Sequence, residues 1–192
     1  MRSVIKLATY NIHRCIGTDG SYNPARISNV IRQLDADIIA LQEVESFTDG
    51  GGNVLYDFET DSGFTIIPGP TMCRRDSSYG NAVMSRCHPV TVDKTDISQP
   101  GVEPRGVISL FYDINGTKIH IMSTHLGLKS MERRLQLNKI FNIMEQQPAD
   151  ISVLAGVDFL PRCLAILPQA GQAPGEKINT GDFSITLSPV FP

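Results

Sequence analysis

The feature that most constrains this chain is a set of short apolar runs, each joined to a polar cluster. Val4-Ile5-Lys6-Leu7-Ala8 leads into Thr9-Tyr10-Asn11-Ile12-His13, and Ile38-Ile39-Ala40-Leu41 leads into Gln42-Glu43-Val44. Tyr79-Gly80-Asn81 opens onto Ala82-Val83-Met84, and Ile119–Met122 leads into Ser123-Thr124-His125-Leu126. Continuous apolar runs of this length are the pattern of strands covered on both faces. Between the first two runs, Asn23-Pro24 supplies a cap residue followed by proline at the first helical position. Ile27, Val30, Ile31 and Leu34 then recur at three- and four-residue spacing, which predicts a helix over 24–34. The opening segment thus reads strand, helix, strand. If its strands are parallel neighbours, Asn11 and Glu43 meet just past their ends.

The remainder continues in the same vein. Residues 46–63 read as a loop with one helical turn around Val54, Leu55 and Phe58, followed by strands at 64–67, 81–85 and 90–92. Val107–Ile114 and Lys118–Met122 flank Asn115-Gly116, the strongest short-range hairpin signal a sequence offers. A second helix is expected over about 131–146, with Leu137, Ile140, Phe141 and Met144 on one face, and a buried strand over 151–155. Prolines at 161, 168, 174, 189 and 192 predict an irregular, Pro/Gly-rich tail over 161–192. Strands outnumber helices, and the helices fall between strand groups. The expected class is α/β: two sheets face to face with helices outside, in one domain spanning 1–192 with its core at 4–160.

Composition narrows the function classes. Of 192 residues, 41% are hydrophobic and 19% charged, and the net charge is −3. No basic stripe of the kind that tracks long nucleic acid is visible. The four cysteines, Cys15, Cys73, Cys87 and Cys163, are widely spaced with no Cys-x-x-Cys pair, so a zinc site is not expected and reduced thiols are favoured over disulfides. No secretory core follows Met1 and no apolar stretch approaches spanning length, which points to the cytoplasm. No obligate protein partner is evident.

Glu43 is the leading metal candidate, because a carboxylate after so apolar a run is costly to bury unless paired or bound to a cation. Magnesium takes one or two protein carboxylates and completes its shell with water and phosphate oxygens, so Glu43 with the Asn11 amide suits Mg²⁺ or Mn²⁺. Asn81 and Arg105 are candidate phosphate contacts, the latter through a bidentate guanidinium. His125, at a strand end, can protonate a leaving alkoxide or steady developing charge. Asp158, after the 151–155 strand, is a candidate base or water-orienting group. His13 and His120 have less support.

Taken together, Thr9-Tyr10-Asn11, Leu41-Gln42-Glu43-Val44, Tyr79-Gly80-Asn81-Ala82, Thr124-His125-Leu126 and the Arg133/Gln136 pair resemble the endonuclease/exonuclease/phosphatase family. That family includes deoxyribonuclease-like enzymes, sphingomyelinases and inositol phosphatases. The resemblance runs from residue 4 to about 160. It implies a four-layer α/β-β/α sandwich and metal-assisted attack of water on a phosphodiester or phosphomonoester. By motif, Asn11 and Glu43 would hold the metal, Asn81 would contact phosphate, His125 would assist the leaving group, and Asp158 would orient water. The substrate is left open among nucleic acid, phospholipid head group and small phosphate ester, with loops 46–63 and 69–78 expected to choose. Two departures stand out. Gly156-Val157-Asp158-Phe159-Leu160 replaces the family's Gly-Asp-Phe-Asn, and no histidine follows His125 where the family has a terminal Ser-Asp-His segment. The expectation is a chain lacking its closing strands, with the alternative of an impaired member that keeps only metal and phosphate binding.

Overall fold

The computed structural model describes residues 3–47, 53–147 and 149–156, together with the backbone of strands at 164–167, 177–179 and 183–190. In chain order the elements are β1 (Ser3–Asn11), a 3₁₀ turn (His13–Cys15), α1 (Pro24–Leu34), β2 (Ile38–Phe47) and α2 (Val54–Ser62). Then come β3 (Thr65–Cys73), β4 (Ser77–Ser85), β5 (Thr91–Asp96), β6 (Gly106–Ile114), β7 (Thr117–Thr124) and α3 (Ser130–Gln146). The series closes with β8 (Ile151–Ala155), β9 (Leu164–Leu167), β10 (Lys177–Asn179) and β11 (Phe183–Val190). They build two sheets, ordered β10-β11-β1-β2-β4-β3 and β5-β6-β7-β8-β9.

The layering follows from which side each strand residue faces. Successive strand side chains alternate faces, so Ile5 and Leu7 of β1 point inward while Ala8 and Tyr10 point outward. The inner set joins Ile38, Val83, Ile108, Leu110, Ile119, Ile121 and Val153 in one core between the sheets. Tyr10, Ile39 and Leu41 instead pack under Ile27 and Ile31 of α1 and Val54 and Phe58 of α2. Met122 and Leu154 pack under Ile140 of α3. The result is the expected four-layer α/β-β/α sandwich. Local signals also hold: the Asn23 side chain accepts Arg26 N at the start of α1, and Asn115 and Gly116 take the positive φ values of a tight hairpin turn.

Several expectations need correction. The single helical turn near Val54 is a full helix to Ser62, capped by Asn53 and stopped by Gly63 in the left-handed region. Most of 69–78 is not loop: β3 runs to Cys73 and β4 begins at Ser77. Pro68 and Pro70 are tolerated because β3 is an edge strand, where missing N–H groups break no ladder. Phe141 is 38% exposed, and Ile143 takes the place expected for it against the core. The stretch 161–192 is not wholly irregular. β9 pairs with β8, and β11 lies parallel to β1 from Ser3↔Phe183 to Tyr10↔Val190. The prolines had obscured the alternation Phe183-Ser184-Ile185-Thr186-Leu187, although four of the five lie outside the strands.

Candidate functional site

Strand alternation aims the expected side chains into one place. Asn11 shares the inward parity of Ile5 and Leu7, and Asn81 shares that of Val83. His125, just beyond β7, continues the parity of Ile119 and Ile121. All three therefore lie where the two inner faces open at the strand ends. Glu43 would not join them in a regular strand, because it shares parity with Ile39 and Leu41, which lie under the helices. The β2–β4 register shifts between Leu41 and Val44, and Glu43 adopts φ 54. An extra residue in one strand re-aims its side chain, and left-handed backbone outside glycine is strain that the surroundings must hold in place.

Once re-aimed, the Glu43 carboxylate is ringed by donors. Asn11 Nδ2 donates to Oε1 at 2.8 Å, and His13 Nδ1 lies 3.0 Å from Oε2. His125 Nε2 is 4.0 Å from Oε1, with its side chain 9% exposed. The three residues His13, Arg14 and Cys15 are all left-handed. That turn folds His13 back over the carboxylate, and Asn11 Oδ1 accepts the His13 backbone N–H at 2.9 Å. Beneath the cluster, Thr9 Oγ1 donates to Gln42 Oε1. Arg14 adds a longer contact to Glu45 at 3.8 Å.

Asn81 and Arg105 occupy the neighbouring wall. Asn81 Nδ2 reaches across to the Gly106 carbonyl at 3.4 Å, which also accepts Thr124 Oγ1 at 3.0 Å. Arg105 is 7% exposed and donates through Nη1 to Glu103 at 2.6 Å. Tyr79 ties this wall to Glu43. Burial pushes its hydroxyl up to about 12, assisted by the negative charges of Glu43 and Glu103 and opposed by Arg105 and Arg14. The phenol therefore lies within electrostatic reach of both carboxylates and stays protonated, a standing donor.

The loop carrying His125 is fixed by α3. Gly127 N–H donates to Gln136 Oε1 at 2.8 Å, and Gln136 Nε2 donates to Glu132 Oε1 at 3.1 Å. Arg133 Nη1 donates to the carbonyls of Gly127 and Leu128. A Cβ on Gly127 would fall 1.8 Å from Glu132 Cδ and would push that carboxylate away from Gln136. The structure thus gathers Asn11, Glu43 and His125, sets Asn81 and Arg105 beside them, and adds His13 and Tyr79, which the sequence left aside. Asp158 lies outside the described residues. His120 belongs elsewhere: it is stacked on Phe111 in the middle of β7.

The donor set suits a hard divalent cation. The Glu43 carboxylate makes a partial shell that the Asn11 amide oxygen, here accepting the His13 N–H, would join only after the amide turns over. Such an open shell suits a metal that keeps water and substrate oxygens rather than a closed protein cage. Among the described residues no three His, Cys, Asp or Glu side chains form a metal-ligand group.

Comparison with known proteins bears on the family and the fold. The family model described as Endonuclease/Exonuclease/phosphatase family matches residues 8–160. The Uncharacterized protein YbhP of Escherichia coli (strain K12) is 28% identical over 169 residues, covering 80% of this chain and 66% of YbhP. The endonuclease/exonuclease/phosphatase of Beutenbergia cavernae DSM 12333 is similar at a TM-score of 0.60 with 23% identity, over 79% of this chain and 46% of that one. The mannosyl-6-phosphatase Bt3783 of Bacteroides thetaiotaomicron VPI-5482 is similar at 0.62 with 16% identity, over 80% and 63%. TDP2 of Caenorhabditis elegans is similar at 0.59 with 20% identity, over 80% and 45%. These likenesses establish the shared fold, and this chain spans at most about two thirds of each relative's length.

Proposed function

The chain belongs to the endonuclease/exonuclease/phosphatase family, and from that premise we propose that it is a metal-dependent phosphoesterase in which Glu43 and Asn11 hold Mg²⁺ or Mn²⁺. The observation that carries the reading is the bulge that turns Glu43 away from the helix-covered face and into a ring of Asn11, His13 and His125. The left-handed backbone at Glu43 is strain that the contacts with Asn11 and His13 hold in place, and strain of this kind clusters at functional sites. The bound cation would supply charge to polarise the phosphoryl oxygen and lower the cost of bringing water to phosphorus.

The chain's own groups supply the remainder. The Asn81 amide and the Arg105 guanidinium orient the phosphate, and Asp158 orients the attacking water. His125 delivers a proton to the ester oxygen as the P–O bond breaks and the water oxygen bonds to phosphorus. The protonated Tyr79 hydroxyl would donate to a phosphate oxygen. No helix among the described residues is long and apolar enough to cross a membrane, and a cytoplasmic address with a phosphate-ester substrate completes the proposal.

A metal titration tests it. Binding to the folded state alone at a hundredfold excess over Kd stabilises by about 2.7 kcal/mol, roughly 5–10 °C in Tm for a chain of this size. Mg²⁺ or Mn²⁺ should raise the melting temperature on that scale, and turnover of bis-p-nitrophenyl phosphate should require the ion. A melting curve blind to both ions, together with hydrolysis that ignores a chelator, would sink the reading.

A further inference from the structure

Beside the candidate centre, a cavity of about 610 Å³ opens between the edge strand β3 and the β5–β6 pair. Gly69, Thr71, Lys94, Asp96, Ser98 and Arg105 are among its walls. Its closeness to Glu43 is fixed by shared parts. Gly106 lines it, and the Gly106 carbonyl is the atom on which Asn81 and Thr124 converge. The charges of both Glu43 and Arg105 act on the Tyr79 hydroxyl.

The lining is chemically specific. β5 is an exposed edge strand, yet two of its charges face inward. Lys94 pairs with Ile108 and Asp96 with Gly106, paired residues of an antiparallel ladder share a face, and Ile108 belongs to the core between the sheets. Lys94 and Asp96 therefore flank the cavity instead of pointing outward. Two glycines let the walls pack closely behind the cavity: a Cβ on Gly106 would stand 3.1 Å from Thr71 Cγ2, and one on Gly69 would strike Ile108 at 2.5 Å.

The rim is held in place from several directions. Ser98 Oγ accepts Arg105 N–H at 3.0 Å, Ser98 N–H donates to Asp96 Oδ1 at 2.8 Å, and Lys139 Nζ donates to the Ser98 carbonyl at 3.2 Å. The Ser98 hydroxyl and N–H keep Asp96 ionised, lowering its carboxyl below the usual range with help from Lys139. Arg105 is almost fully buried, and its Nε finds no acceptor among the described residues. A buried donor without a partner costs about 1–3 kcal/mol unless a ligand or water supplies one.

We propose that this cavity seats the non-reacting part of the substrate and selects a compact polyhydroxyl group, so that the substrate is a small sugar- or polyol-type phosphate ester. The proposal rests on the phosphoesterase reading of the Glu43 centre and deepens it. Size favours this ligand, since small-molecule sites occupy roughly 300–1,000 Å³. Charge favours it too. Lys94 opposes Asp96 and Glu103 neutralises Arg105, so the walls offer donors and acceptors for hydroxyl groups with no cationic track for a polymer backbone. An acyl chain would meet Lys94 and Asp96, which it cannot satisfy.

The test is calorimetric binding in Mg²⁺ buffer, comparing the non-hydrolysable 6-phosphonates of glucose and mannose with methylphosphonate. At least one hexose phosphonate should bind about tenfold or more tightly than methylphosphonate, the equivalent of one or two well-made hydrogen bonds. Lys94→Ala and Asp96→Asn should erase most of that preference while methylphosphonate binding stays as it was. Both positions are exposed, and Asp96→Asn keeps the oxygen that accepts Ser98 N–H, so folding is preserved and a melting curve confirms it. The proposal is overturned if both hexose phosphonates bind no better than methylphosphonate, if the preference survives both variants, or if a short DNA duplex displaces the sugar phosphonate. If none of the phosphonates binds, the phosphoesterase reading itself fails and the pocket proposal falls with it.

Discussion

The two strand–helix–strand units, β1-α1-β2 and β7-α3-β8, treat their two ends in opposite ways. At the starting end both use one device. Asp37 accepts the Lys6 N–H at 2.8 Å and returns its own N–H to the Lys6 carbonyl, and Asp150 does the same with Lys118 at 2.7 Å. Each carboxylate there is absorbed in fixing register. At the finishing end the pattern changes. Glu43 meets side chains rather than backbone, all three from other segments, and does so from a left-handed, bulged position. Backbone partners cannot leave without unfolding something, whereas side chains can rotate away and make room for a ligand. The position in the fold is ordinary for α/β sheets, where ligands sit beyond the carboxyl ends of strands. The bulge marks which carboxylate is available.

The sharpest way to break that contrast is to neutralise one carboxylate from the finishing end. Glu43→Gln should remove the metal-dependent rise in melting temperature and take hydrolysis down to background, with apo stability changed by less than about 1 kcal/mol. An unchanged metal response would show that Glu43, despite its geometry, is as structural as Asp37. His125→Ala comes next. Loss of a general acid costs about two to four orders of magnitude, and the penalty should be larger for an unactivated ester than for bis-p-nitrophenyl phosphate, whose leaving group needs little protonation. Equal losses on both substrates would point to positioning of phosphate in place of proton delivery.

Much of this site was legible from residue order, and the missing parts have identifiable causes. Parallel pairing of β1 and β2 follows from a strand–helix–strand reading and brings the strand ends carrying Asn11 and Glu43 side by side, but only the bulge turns Glu43 onto the face of Asn11. The bulge was invisible, because Leu41-Gln42-Glu43-Val44 reads as an unbroken continuation of the run before it. His13 was undervalued because three successive left-handed residues without glycine have no propensity signature; the Asn11 side chain and the Glu43 carboxylate hold that turn. Tyr79 looked like part of a Tyr-Gly-Asn turn, yet β4 begins at Ser77 and makes it a half-buried strand residue. Asp158 retains only its sequence argument. The first helix was easier, since Asn23-Pro24 and the spacing of Ile27 and Ile31 are local, whereas β11 depends on a short alternation that runs into Pro189.

His120 sharpens the comparison from within β7. It is fully buried, stacked on Phe111 at 4.2 Å, and neither ring nitrogen has a hydrogen-bond partner among the described residues. Burial drives its pKa down from 6.5 to about 4, against a smaller opposing pull from Asp93. The folded state thus resists a proton that the unfolded state accepts below pH 6.5. Stability from this source is complete above pH 6.5, falls as pH drops from 6.5 toward 4, and stays lost below. His120→Phe should flatten that slope and leave stability at pH 7 equal or higher, since removing an unpartnered buried polar group is not costly. A slope that persists in the variant would assign the acid sensitivity to other groups.

The smallest expected effect belongs to the starting end. Asp37→Ala and Asp150→Ala each remove one charge-assisted hydrogen bond to a partly exposed backbone N–H, a loss of about 1–2 kcal/mol. The two should be similar, because the two units use the same pairing, and neither should change the metal-dependent shift in Tm. They should also be additive, since they sit in different sheets and share no partner. Chemical denaturation of both single variants and the double variant measures all three expectations. If Asp37→Ala weakened the metal response while Asp150→Ala did not, β2 would be transmitting strain from the residue before its start to its bulge, and the two ends of that strand would have to be treated as one device.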